Sequence, residues 1–372
     1  MIKILTIIGA RPQIIKAAAI SRAVRDSFRD KVQEKILHTG QHYDTNMSQV
    51  FFDELGIPTP DYNLGVGSGR HGEQTAKMMD GIEKVLVSEH FDGIILYGDT
   101  NSTLAGAVAA AKLQIPVFHV EAGLRSFNMT MPEEQNRIVC DHLSSILFAP
   151  TKTAVENLAA EGLSSSSITT FMGGKKRAVV LSGDVMYDNA LYFSKLAESK
   201  SHILSDCGVT PGNYVLATVH RDFNTDDPCR IGSIFKALSS IADNNGIPII
   251  LPLHPRTRRF LPEGLSPKIT IIPPASFFDI LVLEKNASVV ITDSGGVQKE
   301  AFFFGRPSII LRPETEWVEI LAHNAGILAD ADYDRITSAF KALSGDKVAF
   351  PPLFGDGNAS GIILQSITDY FI

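Results

Sequence analysis

The sequence predicts an α/β protein of two domains, each an open parallel sheet with helices on both faces. Three observations lead there. A chain of 372 residues is longer than one core readily supports, which favours two domains. Short runs of Val, Ile and Leu bounded by Gly, Pro or Asp recur along it, as expected of strands buried on both faces. Helical patterns separate these runs, and strand alternating with helix gives a parallel sheet.

In order, the first half offers strands at 3–8, 34–38, 93–96, 117–120 and 146–148, with helices at 14–24, 103–112 and 151–160. A less regular stretch, 162–188, is rich in Ser and Gly and carries the basic cluster Lys175, Lys176, Arg177. The pattern then restarts with strands at 214–219, 249–253, 269–272, 289–292 and 308–311, and a helix at 231–242. We expect a first domain over 1–182 and a second over 183–359, with the helical tail 360–372 packing back on the first.

Composition narrows the function. Hydrophobic residues make up 44% and charged residues 20%, with a formal net charge of -7 and no long basic run, so nucleic acid is not an expected partner. An acidic chain can still bind an anion in a local cationic pocket. Cys140, Cys207 and Cys229 lie far apart without metal-ligand spacing. That speaks against zinc and for a reduced, cytoplasmic setting. The first apolar run is broken by Gly9, Arg11 and Pro12 and reads as a buried strand rather than a signal peptide. No stretch is long and apolar enough to suggest a membrane span.

Ligands of open parallel sheets bind beyond the strand C-terminal ends, so the polar residues there are the candidates. GARPQIIK follows the first strand and places Arg11 and Lys16 at a helix start, a setting that suits phosphate. It is neither GxGxxG nor a Walker loop, so NAD and ATP are not implied. Asp99 in YGDTNST and Glu121 in HVEAGLRS each end a strand, with Arg125 near the latter, and Glu133 and Glu134 open the helix of MPEEQNR. As bland alternatives, Asp99 would be a turn or cap residue and the glutamates would complement a helix dipole. Several carboxylates without His partners point instead to proton transfer, since crowding lets one hold a proton while another stays ionised. In the second half, HRDFN supplies His220 and Arg221, and HPRTR supplies His254, Arg256 and Arg258. The segment VVITDSGGVQKEA runs from a strand through Asp293, Ser294, Gly295 and Gly296 into a helix holding Glu300. Small residues at a helix start admit a phosphate to the backbone N–H groups, and Glu300 is placed to accept ribose hydroxyls. Arg312 follows the next strand.

Taken together, GARPQIIKAA, YGDTNSTLAG, HVEAGLRS, MPEEQNR, HR, HPRTR and TDSGGVQKEA occur in the order found in the non-hydrolysing UDP-N-acetylglucosamine 2-epimerases, and the chain resembles that family over nearly its whole length. The resemblance implies a glycosyltransferase-B type fold: two Rossmann-like domains with parallel sheets facing across a cleft, usually as a homodimer. It implies acid/base roles for Asp99, Glu121 and Glu133, an essential histidine at His220, and basic contacts from Arg11 and Lys16. Ser294, Gly295, Gly296 and Glu300 match the UDP-binding segment, and Arg312 and Glu316 the late one. The implied reaction eliminates UDP and adds it back with inversion at carbon 2, and needs no nicotinamide, metal or other cofactor.

The chain departs from the family pattern in places. QHYDTN puts Tyr43 and Asp44 where substrate-activated members carry QHR, TEWVE puts Trp317 where an arginine contacts ligand, and Ile362 also stands for an arginine. GARPQ, HPRTR, QKEAFFFG and TEWVE together are similar to a subgroup acting on UDP-2,3-diacetamido-2,3-dideoxyglucuronate. A glycosyltransferase on the same fold would need an acceptor pocket and fewer carboxylates. A non-catalytic sugar-nucleotide binder would need none.

Overall fold

The computed structural model describes residues 1–41, 56–165, 175–253, 255–258, 260–262, 264–345 and 348–372. Tyr43, Asp44, His254 and the side chain of Arg256 lie outside the described residues. The chain divides into two compact units, Met1–Asn189 with Pro352–Ile372, and Ala190–Pro351. The first division falls within the helix Val185–Lys200.

Among the described residues the first unit holds a seven-stranded sheet. Its strands are β1 (Ile2–Ile8), β2 (Val32–His38), β3 (Tyr62–Asn63), β4 (Gly93–Tyr97), β5 (Val117–Val120), β6 (Ile146–Ala149) and β7 (Ala178–Leu181). The order β3-β2-β1-β4-β5-β6-β7 is parallel throughout, with Ile4 opposite Gly93 and Ile146 opposite Ala178. The chain winds outward one way from β1 and the other way from β4, so the topological switch lies between them. β4, β5 and β6 are buried residue for residue, which is why they read as apolar runs. β3 and β7 were not expected. Both are short edge strands, and no residue of either is fully buried, so neither carries a strong hydrophobic signal.

The second unit holds β8 (Val215–Thr218), β9 (Ile249–Pro252), β10 (Ile269–Ile272), β11 (Val289–Thr292), β12 (Ser308–Ile310) and β13 (Gly326–Leu328) in the order β10-β9-β8-β11-β12-β13. Its switch point lies between β8 and β11, where Val215 faces Val289. Helices cover both faces. On one, Pro228–Asn245 buries Ile231, Ile234, Phe235, Leu238 and Ile241 at helical spacing against β8, β9 and β11.

The basic cluster serves the fold. Arg177 is buried and donates to the carbonyls of Ser144 and His142, closing the end of the helix Pro132–Leu143. Lys175 lies over the rings of Tyr370 and Phe371. These rings belong to the tail helix Ala359–Phe371, which packs against the helix Arg11–Ala23 and meets Phe118 of β5 edge-on.

Candidate active site

Within the first unit, the loops after β1 and β4 meet at the switch point. Gln13 joins them. Its Oε1 accepts the Gly9 and Ala10 N–H groups at 2.9 and 3.1 Å, and its Nε2 donates to the Tyr97 carbonyl and Thr103 Oγ1 at 2.9 and 3.0 Å. A Cβ on Gly9 would lie 2.1 Å from Thr39 Oγ1 and 2.2 Å from Ser102 Oγ, so the close approach itself demands glycine. Two N–H groups of the loop after β1 already serve Gln13, and Lys16 pairs with Glu121. Arg11 stays exposed at the first position of its helix.

Asp99 and Glu121 are gathered here. Asp99 follows β4, and its carboxylate forms an ion pair with Arg137 while its carbonyl accepts from Asn136 Nδ2 at 2.9 Å. Burial pushes the Asp99 carboxyl above the ordinary range, Arg137 and Lys16 pull against it, and Glu121 adds to the rise. Glu121 follows β5 with a left-handed backbone, φ +72°, a conformation that costs an L-residue about 1–3 kcal/mol. Glu133 is exposed in the first turn of the helix Pro132–Leu143. It lies three and four residues before Asn136 and Arg137, and therefore on the helix face that reaches Asp99. Its neighbour Glu134 has a different role. It is buried, accepts the Ser126 and Phe127 N–H groups, and pairs with Arg137. Burial alone would raise the Glu134 carboxyl; those bonds hold it below the ordinary range.

Beneath the carboxylates lies a buried charge network that the sequence reading did not assign. His119, wholly buried in β5, places Nε2 2.7 Å from the Gly98 carbonyl and Nδ1 2.7 Å from Asp141. Both partners are acceptors, so both nitrogens donate and the ring is an imidazolium. Burial opposes that charge, but Cys140 and Asp141 outweigh it and hold the imidazole well above its usual range. Asp141 also receives the Gly123 N–H at 3.1 Å and pairs with Arg125 at 2.8 Å, while Arg125 binds Glu161 through two nitrogens. Arg125 is thus a structural cation beneath the loop. The network ties Gly98, next to Asp99, to Gly123, two residues after Glu121.

The second unit repeats the device. Asp293, fully buried after β11, accepts the N–H groups of His220 and Arg221, Asn224 Nδ2 at 3.1 Å and His220 Nδ1 at 3.0 Å. Burial alone would raise this carboxyl, yet those bonds keep it below its ordinary range. An ionised Asp293 fixes the proton on Nδ1 of His220, which turns Nε2 toward a ligand. The His220 side chain is 53% exposed, as a group that meets a ligand must be.

Ser294 caps the helix Gly295–Phe303 through Val297 N–H. A Cβ on Gly295 would lie 2.5 Å from Glu316 Oε1 and 3.4 Å from Arg312 Nη1. Its absence seats the Arg312–Glu316 pair, 3.1 Å apart, against the helix start, while Gly296 is exposed beside it. Thr315 bonds Gln298 at 2.7 Å, and Lys299 stands 4.2 Å over the Trp317 ring. Trp317 is buried and packs the late loop onto the helix. Glu300, half-buried, sits one turn in. Behind it Glu284 is wholly buried with neither carboxyl oxygen hydrogen-bonded. Among the described residues, no cluster of three or more His, Cys, Asp or Glu side chains is placed to hold a metal, and no helix is long and apolar enough to cross a membrane.

The family model for UDP-N-acetylglucosamine 2-epimerase matches residues 26–368. The chain is 47% identical over 365 residues, 98% of each protein, to the UDP-2,3-diacetamido-2,3-dideoxy-D-glucuronate 2-epimerase of Pseudomonas aeruginosa. It superposes with a TM-score of 0.84 at 39% identity on the Methanocaldococcus jannaschii UDP-GlcNAc 2-epimerase, solved in complex with UDP-GlcNAc and UDP, covering 99% of this chain and all of that one. A ugt transferase from Siraitia grosvenorii shares the fold alone, at TM-score 0.60 and 13% identity over 99% of each chain. Two switch-point sites on two parallel sheets and matches along almost the full length lead to one conclusion: the chain is an epimerase of glycosyltransferase-B type fold, belonging to the UDP-N-acetylglucosamine 2-epimerase family.

Proposed function

We propose that the protein interconverts UDP-GlcNAc and UDP-ManNAc by inverting carbon 2 of the sugar, with Asp99, Glu121 and Glu133 as its acid/base groups. The observation that carries the reading is the unlike pair at the first switch point: Asp99 raised by burial, and Glu121 ion-paired to Lys16. Carbon 2 has no adjacent carbonyl, so direct deprotonation would need a very strong base. Elimination avoids this. A carboxylate takes the C2 proton, the C–H electrons form the C1–C2 double bond, and the C1–O electrons leave with UDP. Protonation of the opposite face and re-addition of UDP complete inversion, so acid/base groups are needed on two faces, drawn from Asp99, Glu121 and Glu133. His220, Lys16 and Arg11 offset charge on the departing diphosphate, and removing one well-placed donor of that kind costs about 3–4 kcal/mol of barrier. Ser294, Gly295, Gly296 and Arg312 receive the diphosphate, and Glu300 the ribose hydroxyls.

A second reading, the corresponding UDP-2,3-diacetamido-2,3-dideoxyglucuronate, is favoured by the activity of the 47% identical relative. A homodimer working in the cytoplasm belongs to the same proposal, and light scattering tests its subunit number. The activity test is incubation of the purified protein with each UDP-sugar alone. A second UDP-sugar without acceptor or cofactor supports the reading, and free UDP with N-acetylmannosamine would mark a hydrolysing enzyme instead. Asp99→Asn, Glu121→Gln and Glu133→Gln should each cut turnover by about 100-fold with UDP binding largely intact; wild-type turnover removes that residue from the mechanism.

A further inference from the structure

The loop between Glu121 and Glu133 carries a residue that the reaction above does not use. Phe127 is 78% exposed and adopts φ +59°. An aromatic ring in water and a left-handed backbone at a non-glycine residue are both unfavourable. The loop is also firmly held. Glu134 accepts the Ser126 and Phe127 N–H groups at 3.0 and 2.9 Å, Asn128 Oδ1 accepts the N–H and hydroxyl of Thr130 at 3.1 and 2.6 Å, and Gln135 Nε2 donates to the Met129 carbonyl at 2.9 Å. Met129, two residues on, is 57% exposed. An apolar surface is thus presented on a fixed loop.

Its position in the site follows from the ion pairs. Glu134, which holds the Phe127 N–H, pairs with Arg137, and Arg137 pairs with Asp99. The backbone at Phe127 is therefore joined, through Glu134 and two ion pairs, to the carboxyl proposed to work on carbon 2, on the loop that follows β5 at the strand-end edge where such sheets bind ligands. Among the substituents of a UDP-linked 2-acetamido hexose, hydroxyls and phosphates want polar partners, and the N-acyl methyl wants an apolar one. We infer that Phe127 is a specificity-determining residue that packs against an N-acyl group of the sugar. The inference rests on the proposed 2-epimerase reading and adds the selection of acylated substrates to it.

The test compares dissociation constants of UDP-GlcNAc, UDP-glucose and UDP by calorimetry in wild type, Phe127→Gly, Phe127→Ala and Phe127→Leu, with kcat/KM for UDP-GlcNAc and the melting temperature of each. Wild type should prefer UDP-GlcNAc over UDP-glucose by about tenfold, the scale of one apolar group in a pocket. Glycine and alanine should erase most of that preference, leucine should keep part of it, and UDP alone should bind all four alike. Phe127→Gly should melt no lower than wild type, because glycine relieves the backbone that phenylalanine strains. An unchanged preference in the glycine and alanine variants overturns the inference, as does a shift of the glycine variant to a smaller assembly, which would assign the ring to a contact between chains. Failure of wild type to bind UDP at all would instead sink the 2-epimerase reading.

Discussion

At the residue scale, the chemistry rests on unlike environments given to like groups. Asp99 is raised by burial and restrained by Arg137. Removing the adjacent guanidinium lets the Asp99 carboxyl rise further, so Arg137→Met should move the acid limb of the kcat/KM profile upward, and Arg137→Lys should move it less. An unmoved limb would show that Asp99 is not the group titrating there. Glu284 offers a second test, on stability. Burial, with Glu300 adding to it, holds its carboxyl well above the ordinary 4.5. The folded state therefore keeps a proton that the unfolded chain releases above that value, and stability falls as pH rises from there toward the folded pKa. Glu284→Gln removes the titration, so its melting temperature should decline less than that of wild type between pH 5 and pH 8 as set in the experiment. Parallel curves would contradict the neutral, buried Glu284.

At the element scale, strand ends are coupled in pairs: β1 with β4 through Gln13, and β8 with β11 through Asp293. Gly295→Ala probes what the second pairing supports. The new methyl meets Glu316 Oε1, the tip of a flexible side chain, so the fold should persist while the Arg312–Glu316 pair is displaced. UDP affinity should drop by about tenfold, the loss expected of one or two contacts to a charged group, with melting temperature nearly unchanged. Unaltered affinity would detach Arg312 and Glu316 from the nucleotide. Strands buried on all sides, and the candidates just beyond them, were legible because a buried parallel strand must be an apolar run that ends in polar residues. The short edge strands β3, β7 and β13 were not, since two to four partly exposed residues dilute that signal. His119 and Asp141 were hidden for a different reason. One lies inside an apolar strand and the other on a helix, and only the packing of β5 against that helix makes them partners. Asn136 and Arg137 stood within a recognised motif, yet their hold on Asp99 depends on the helix direction.

At the scale of the whole molecule, sequence order already separated a half whose strand ends carry carboxylates from a half whose strand ends carry cations and the Asp293–Gly296 segment. The two switch points supply each half with its own set of fixed groups. The proposed elimination breaks the C2–H and C1–O bonds in the same passage. The most direct measurement is proton NMR of UDP-GlcNAc incubated with the purified protein in heavy water. The account predicts a second UDP-N-acetylhexosamine at equilibrium, with deuterium at carbon 2 of the product and no dependence on added nicotinamide. An epimer that keeps its original hydrogen at carbon 2 would contradict it.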